Sequence, residues 1–341
     1  MKSWTVSNKI LAGQRLMVGF NGTAVDEDLK YLINRLCVGG IILFSRNIQN
    51  PEQLGRLCRD AQSFALACGL PPLFIAVDQE GGEVARLKPP FTVFPGNSAM
   101  RNAADAVHFA QVTASELKGV GFNMNMAPVL DIAPSRIASI MAKRSFGSDP
   151  DRVSELGSLI IDEFHKNGIM AVAKHFPGIG RATEDPHQEI STLDFSLNEL
   201  EQADLEPFKA AVSRNVAGIM LSHLLYQQLD PVWPASLSRR IAFDLLQTRM
   251  NYGGVVLTDD LDMGAIERHY EIHELVRQLI EARVDIALVC HRSEKIERVV
   301  EEFLKSFSDS PEALSKGVLS LQKIFALKKA FLGNGSGPAV S

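Results

Sequence analysis

Residues 169–175 read Ile169-Met170-Ala171-Val172-Ala173-Lys174-His175, a continuous apolar run that ends in two basic side chains. A similar run, Gly40-Ile41-Ile42-Leu43-Phe44, lies closer to the amino terminus. Continuous apolar runs of this length are typical of strands that are buried on both faces of a parallel sheet. Because the first run opens into a polar, glycine-bearing loop, we expect an active site where that strand ends.

Short β-type runs alternate with longer amphipathic patterns along most of the 341 residues. We predict eight strands, at 16–20, 40–44, 73–78, 123–131, 170–176, 218–223, 254–260 and 285–290. We predict helices between and after them, at 26–36, 51–67, 104–120, 149–167, 196–215, 238–250, 269–282, 294–307 and 311–331. Eight βα units indicate an α/β fold, a single-domain (β/α)8 TIM barrel over residues 1–332, with a flexible tail at 333–341. An open, doubly wound sheet is the alternative architecture.

The charge balance and the hydropathy exclude several classes of partner. The formal net charge is −5 and no block of Lys or Arg occurs, so we expect no nucleic acid partner. No apolar stretch is long enough to span a bilayer, so we expect no membrane partner. The four cysteines form no Cys-x-x-Cys pair, and the first residues lack the apolar run of a signal peptide. We therefore expect a cytoplasmic protein, and a monomer.

Polar side chains follow the predicted strands at the points where the strands end. Strands three to seven end in, or lead directly to, Asp78-Gln79-Glu80-Gly81-Gly82, Asp131 with Arg144, Lys174-His175, Ser222-His223 and Thr258-Asp259-Asp260. The carboxyl ends of barrel strands meet at one rim, where barrel enzymes carry their chemistry. A single strand-end aspartate is more often a turn residue, but five such ends on one rim predict a functional site.

We predict neither a cofactor nor a metal ion at this rim. No glycine-rich nucleotide loop follows a strand, since neither G-x-x-x-x-G-K nor G-x-G-x-x-G occurs there. Zinc is the alternative, because four side chains of suitable type are present: His175, His187, His223 and Asp259. The first strand, Leu16-Met17-Val18-Gly19-Phe20, however, lacks the His-x-His pair with which barrel metallohydrolases usually begin.

From about residue 12 to residue 290 the chain resembles the bacterial β-N-acetylglucosaminidases of glycoside hydrolase family 3, of the peptidoglycan-recycling NagZ type. The motifs that carry the resemblance occur in the family's order: Asp78-Gln79-Glu80-Gly81-Gly82 with Arg86, Ala127-Pro128-Val129-Leu130-Asp131, Arg144-Ser145-Phe146-Gly147, Lys174-His175-Phe176-Pro177-Gly178 with Asp185 and His187, Ser222-His223, and Thr258-Asp259-Asp260-Leu261-Asp262-Met263. Each motif alone is modest support for the resemblance. Their common order along eight alternating strands and helices is specific to this family.

The resemblance implies a retaining hydrolysis through a covalent glycosyl-enzyme intermediate. It places the nucleophile on Asp259 and the acid/base on the pair Asp185 and His187. It implies that the partner is a small carbohydrate, N-acetylglucosaminyl-anhydromuramyl peptide. A terminal N-acetylglucosamine would be bound by a set of charged and imidazole side chains: Asp78, Arg86, Arg144, Lys174, His175 and His223.

Several alternatives stay open at the level of sequence. Asp260 could be the reactive carboxylate, residues 185–187 could form a solvated turn, and His223 could be a buried core histidine. The charged rim could be a structural ion-pair network. Other readings of the function are another β-glycosidase, a phosphorylase of the same family, and a non-catalytic sugar-binding barrel. The chain departs from the family pattern at Ile179, where His is frequent, and at Pro186, where Ser is usual.

Overall fold

Eight parallel strands close into a barrel in the computed structural model, which describes residues 7–183, 191–291 and 293–333. We number these strands β1 Leu16–Val18, β2 Gly40–Leu43, β3 Phe74–Val77, β4 Met124–Asn125, β5 Met170–Phe176, β6 Gly218–Leu221, β7 Val255–Asp260 and β8 Ile286–Val289. Each strand pairs with its neighbours in sequence, and β1 pairs with β8, with Leu16 opposite Ala287. The closed order confirms the predicted (β/α)8 barrel and excludes the open sheet.

Helices surround the barrel along most of the described chain. They are α1 Asn8–Gln14, α2 Glu27–Lys30, α3 Pro51–Ala67, α4 Ala103–Gly119, α5 Pro150–Lys166, α6 Leu197–Glu201, α7 Glu206–Ser213, α8 Gly264–Glu267, α9 Ile272–Glu281, α10 Ser293–Asp309 and α11 Pro311–Leu332, with π-helical segments Tyr31–Arg35 and Arg240–Arg249. Short two-stranded ribbons pair Gln79–Gly81 with Val84–Ala85, and Thr192–Leu193 with Leu225–Tyr226. Within the described ranges, no helix is both long and apolar enough to cross a membrane.

One predicted helix is interrupted in the structure. The helix predicted at 196–215 is broken into α6 and α7, and Pro207 stands in the first turn of the second piece, where a missing N–H is tolerated. The prediction of a flexible tail falls on residues that lie outside the described part of the chain after Gly333.

The strand predicted at 123–131 is reduced to the two residues of β4. Two asparagine side chains replace part of the backbone ladder there. Asn123 accepts from the Ile75 amide through Oδ1 at 2.9 Å and donates to the Leu73 carbonyl at 3.0 Å. Asn125 does the same with both backbone groups of Gln79, each at 3.0 Å. The pairing with β5 resumes at the bridge between Val129 and Lys174.

The barrel interior is filled by apolar side chains, and one end is closed by α11. The interior cluster contains Met124 of β4, and α11 adds Ile324 to it. Lys328 of α11 donates to the carbonyl of Gly39, directly before β2, at 2.8 Å. This helix therefore covers the amino-terminal end of the barrel and leaves the carboxyl-terminal end of the strands for the site.

We expect Asn125→Ala to lower the free energy of unfolding by about 1–3 kcal/mol, because both backbone groups of Gln79 lose a buried partner. Urea denaturation of the purified protein measures this change. Asn34→Ala, at an exposed position, is the matched control and should change stability by less than about 0.5 kcal/mol. Equal effects of the two substitutions would contradict the ladder role of Asn125.

Candidate active site

The carboxyl-terminal ends of the strands surround a cavity of about 360 Å³. Six of the predicted site residues line it together, from four different strands and their loops: Asp78, Arg86, Arg144, Lys174, His175 and Asp259. Asp78 and Asp259 are 181 positions apart in the sequence and yet line the same cavity, as the strand-end pattern predicts.

Lys174 on β5 lies at the centre of the charged groups. Its ammonium lies 2.8 Å from Asp78 Oδ1 and 2.7 Å from Glu80 Oε1, and its side chain is 3% exposed. Burial alone would lower the pKa of Lys174, but the two carboxylates raise it. The lysine is therefore a fixed cation, held by two residues of the segment that follows β3.

Two arginines extend this cluster on either side. Arg144 forms a two-pronged pair with Glu80, at 3.0 Å through Nε and 2.7 Å through Nη2. Arg86 lies 3.2 Å from Asp78 Oδ2. Burial would raise the pKa of Asp78, but Lys174 and Arg86 outweigh it and lower that pKa to about 2. Both carboxylates are therefore ionised at neutral pH.

Glu80 is a central member of the cluster that the sequence-based site prediction omitted. It binds both Lys174 and Arg144, and its side chain is 2% exposed. The signal was present in the quoted motif, since residues two apart on an extended segment project to the same side. A buried lysine at a strand end also needs more than one partner, which makes a second nearby carboxylate an expected feature.

His175 is oriented by a buried carboxylate from the segment after β4. Its Nδ1 lies 2.7 Å from Asp131 Oδ2, and its backbone amide donates to the same oxygen at 3.2 Å. Asp131 Oδ1 also accepts from the amide of Ile179 at 2.7 Å. One carboxylate therefore fixes both the imidazole and the stem of the loop that follows β5.

The loop stem at 177–183 needs glycine at two positions. Gly178 has a φ of +123°, in the region that favours glycine. A Cβ on Gly180 would lie 1.9 Å from the carbonyl oxygen of Ile132. Ile179 stands where the family frequently has His. Its side chain is buried, and its backbone amide donates to Asp131. Asp185, Pro186 and His187 lie outside the described residues.

Asp259 and Asp260 end β7 and differ in their surroundings. Burial acts to raise the pKa of Asp259, but its neighbours His175 and His223, the backbone amide of Asp260 at 2.8 Å and, more weakly, Lys174 lower it. Asp260 accepts from the backbone amides of Asp262 and Cys290, at 3.0 and 3.1 Å. Burial, followed by the charges of Asp262 and Asp259, raises the pKa of Asp260 to about 7. At neutral pH Asp259 is therefore ionised, whereas Asp260 is close to half-protonated.

His223 does not line the cavity, although we predicted it among the substrate-binding residues. Its Nε2 donates to the carbonyl of Asp260 at 2.9 Å, and its Nδ1 lies 2.8 Å from Ser236 Oγ. Burial lowers its pKa, which favours the neutral imidazole that these two partners suit. His223 is therefore a buried histidine with two protein partners, which agrees with the alternative of a core histidine.

Two of the residues considered for zinc, His175 and His223, have other partners. His175 is bound to Asp131, and both ring nitrogens of His223 are engaged. Over residues 7–183, 191–291 and 293–333, no three or more His, Cys, Asp or Glu side chains are grouped as a metal site.

The sequence profile of the glycosyl hydrolase family 3 N-terminal domain matches residues 5–323. The chain belongs to glycosyl hydrolase family 3. This membership confirms the predicted family and identifies the barrel as that of a glycoside hydrolase. A β-hexosaminidase of Pseudomonas aeruginosa is 35% identical over 283 residues, which are 81% of this chain and 82% of that protein.

Solved structures of the same family have the same fold. A family 3 β-N-acetylglucosaminidase from Paenibacillus has a TM-score of 0.92 at 36% identity and is matched by 99% of this chain. The chain spans 65% of that enzyme's length. NagZ from Neisseria gonorrhoeae has a TM-score of 0.75 at 28% identity, with 91% of this chain and 97% of that chain covered.

The low pKa of Asp78 makes stability depend on pH in the acidic range. Because its folded pKa, about 2, lies below the ordinary value near 3.8, its contribution is full above about pH 4 and is lost as pH falls through about 2. Between about pH 4 and pH 2 the unfolding free energy of wild type should fall by about 2 kcal/mol more than that of Asp78→Asn. Urea denaturation at several pH values measures it.

Asp28→Asn, at an exposed position on α2, is the matched control and should retain the wild-type slope. If Asp78→Asn and wild type lose stability in parallel between about pH 4 and pH 2, the ion cluster does not hold Asp78 ionised as described.

Proposed function

We propose that this protein is a retaining exo-β-N-acetylglucosaminidase that removes a terminal N-acetylglucosamine from a small carbohydrate. The observation that carries the proposal is the placement of Asp259 in one cavity with the cluster around Lys174. The β-hexosaminidases that this chain resembles over more than four-fifths of their length support the same class of substrate.

The proposed nucleophile is Asp259. Glycosidic cleavage builds positive charge at the anomeric carbon, and an ionised carboxylate beneath that carbon stabilises the charge and then forms the covalent intermediate. The lowered pKa of Asp259 supplies the ionised form. Asp260, with its raised pKa and two backbone donors, suits a structural role at the end of β7.

The proposed acid/base is His187, oriented by Asp185. A histidine with an ordinary pKa of about 6.5 can donate a proton to the leaving oxygen and then accept one from water near neutral pH. The family resemblance supports these roles. In the sequence both residues follow the loop stem at 177–183, which is anchored to Asp131 through the amide of Ile179.

The charged cluster is proposed to bind the hydroxyls of the terminal sugar. Charged donors and acceptors bind hydroxyls more strongly than neutral groups do. Asp78, Lys174, Arg86 and Arg144 line the cavity opposite Asp259, and the network among them fixes their positions. The substrate we propose is an N-acetylglucosaminyl-anhydromuramyl peptide, as the family resemblance implies, which makes this an enzyme of peptidoglycan recycling.

A cytoplasmic location fits this substrate. The four cysteines are free thiols, and three of them are buried. Unpaired cysteines are typical of reducing compartments, where disulfides are rare.

We expect Asp259→Asn to reduce hydrolysis of 4-nitrophenyl β-N-acetylglucosaminide by at least about a thousandfold, because the covalent step loses its nucleophile. Asp260→Asn is the matched neighbour and should retain far more activity. A mechanism-based 5-fluoro sugar should label the peptide that contains Asp259, as detected by mass spectrometry. An active Asp259→Asn variant, or labelling at Asp260, would refute the assignment.

We expect the effect of His187→Ala to depend on the leaving group. Hydrolysis of a disaccharide needs protonation of the leaving oxygen and should fall by about 10²–10⁴-fold. Hydrolysis of a 2,4-dinitrophenyl glycoside should fall much less in its first step, because that leaving group departs as an anion. Steady-state kinetics on both substrates measures the difference. An equal loss on both would argue against the acid role.

Running the same assay with and without phosphate, and identifying the sugar product, separates hydrolysis from phosphorolysis. Free N-acetylglucosamine in both conditions supports the hydrolase. A sugar 1-phosphate formed only with phosphate would establish the phosphorylase instead.

A further inference from the structure

One arginine contacts both described ends of the chain segment that joins β5 to the ribbon strand Thr192–Leu193. Arg181 stands in the loop stem at 177–183, before residues 185 and 187 in the sequence. Its guanidinium carbon lies 4.4 Å from the ring centroid of Phe195, which belongs to the return segment, residues 191–196. A planar guanidinium over an aromatic ring is a favourable contact. The side chain of Arg181 therefore joins the stem to the return segment.

The same guanidinium is paired with a buried carboxylate. Arg181 Nη2 lies 2.7 Å from Asp204 Oδ2, and the side chain of Asp204 is 1% exposed. Asp204 lies between α6 and α7, and α7 packs against β5. In that packing the rings of Phe176 and Phe208 meet edge to face, with centroids 5.2 Å apart. The ion pair therefore connects the loop stem to a segment that is fixed on the barrel.

The backbone of the stem also lies close to this segment. A Cβ on Gly178 would lie only 3.0 Å from the Cβ of Asp204. The carbonyl of Gly178 accepts from the hydroxyl of Tyr226 at 2.9 Å, and Tyr226 pairs with Leu193 in the ribbon. The Arg181 pair is thus the charged part of a wider contact among the stem, the return segment and the residues before α7.

The ion pair can be removed without leaving an isolated buried charge. Burial raises the pKa of Asp204 to about 6, Arg181 acts in the opposite direction, and Asp131 adds to the rise. When the guanidinium is absent, the carboxyl group can take up a proton instead of staying charged in the interior. We therefore expect a protein that lacks Arg181 to fold, which makes the role of the pair testable.

Neither Arg181 nor Asp204 lines the sugar cavity. An effect of the pair on the reaction must therefore pass through the loop that the stem begins. In the sequence this loop contains Asp185 and His187, for which we propose the acid/base roles.

We propose that Arg181, held by Asp204 and Phe195, is a positioning residue for the acid step, because it fixes the two ends of the loop that contains the proposed proton donor. Proton transfer requires the donor within hydrogen-bond reach of the leaving oxygen, and a displacement of about 1 Å can cost about a hundredfold in rate. This inference rests on the proposed function, because it assigns a support to the acid of that reaction.

The test uses the full-length protein and two substrates with the same β-N-acetylglucosaminyl bond, a disaccharide and a 2,4-dinitrophenyl glycoside. For both, kcat/KM reports the steps up to the covalent intermediate, and only the disaccharide needs a proton on its leaving oxygen there. We expect Arg181→Met to lower kcat/KM for the disaccharide by about 10–100-fold. The value for the dinitrophenyl glycoside should change by less than about twofold.

Further variants show whether the effect comes from the pair. Asp204→Asn should lower kcat/KM for the disaccharide by a similar factor, and the double variant should lose no more than either single one, because both remove the same contact. Arg181→Lys keeps the charge and should recover part of the loss. Arg214→Met is the matched control, since Arg214 is exposed and pairs with Asp162 at 3.2 Å, and it should leave both substrates unchanged.

Hydrogen exchange followed by mass spectrometry tests the contact without relying on activity. In Arg181→Met, peptides that cover 177–183 and 191–195 should exchange faster by about tenfold, because the ends of the loop open more often. The amide of Ala182, which donates to the carbonyl of Ile179 at 2.9 Å, belongs to this region. Peptides from α4 should exchange as in wild type.

The outcomes separate this inference from the proposed function. If wild type cleaves neither substrate, the proposed function fails, and the exchange measurement still shows whether Arg181 fixes the ends of the loop. If wild type cleaves both and Arg181→Met retains the wild-type kcat/KM on the disaccharide, the inference is wrong and the function stands. An equal loss on both substrates, or unchanged exchange in the stem, would also overturn it.

Discussion

The ammonium of Lys174 is enclosed between Asp78 and Glu80, and the mouth of the barrel is arranged around that contact. A charge with 3% of its side chain exposed is stable only when it is paired and hydrogen-bonded. The lysine is on β5, and both carboxylates follow β3. Because β4 is only two residues long, the contact passes over a short strand and links the two longer ones.

The same contact determines the electrostatics of the cavity. Arg86 and Arg144 join Lys174, so three cations stand against the two carboxylates of Asp78 and Glu80. The surplus positive charge faces the end of β7, and Lys174 is among the groups that lower the pKa of Asp259. Lys174 thus also helps to lower the pKa of the proposed nucleophile, although His175 and His223 contribute more.

Much of this arrangement could be predicted from the sequence, because barrel strands end in the residues that line the site. Asp78, Lys174 and Asp259 follow apolar runs directly, and the (β/α)8 rhythm places them on one rim. Glu80 was omitted although its spacing from Asp78 carried a signal, because its partners Lys174 and Arg144 come from other strands and loops. His223 was included because its position after β6 matches the rule, but its ring nitrogens bind Asp260 and Ser236 instead.

The shortness of β4 shows a second limit of sequence reasoning. An apolar run predicts a strand through its side chains, but Asn123 and Asn125 use their side-chain amides as substitutes for the backbone ladder. Only the positions of Leu73, Ile75 and Gln79 on the neighbouring chain segment show that these amides have backbone partners. After residue 125 the backbone stays hydrogen-bonded to β5 as far as Leu130 and then reaches Asp131, which orients His175.

The two aspartates at the end of β7 show how one strand terminus can carry two different functions. Asp259 and Asp260 both line the cavity, but they meet different neighbours although they are adjacent in sequence. Asp260 is held by the amides of Asp262 and Cys290, and its pKa is raised to about 7. The pKa of Asp259 is lowered by the facing cations. Environments that move two neighbouring acids in opposite directions are the usual sign of divided roles. The geometry therefore favours Asp259 as the nucleophile for a reason that the motif alone does not contain.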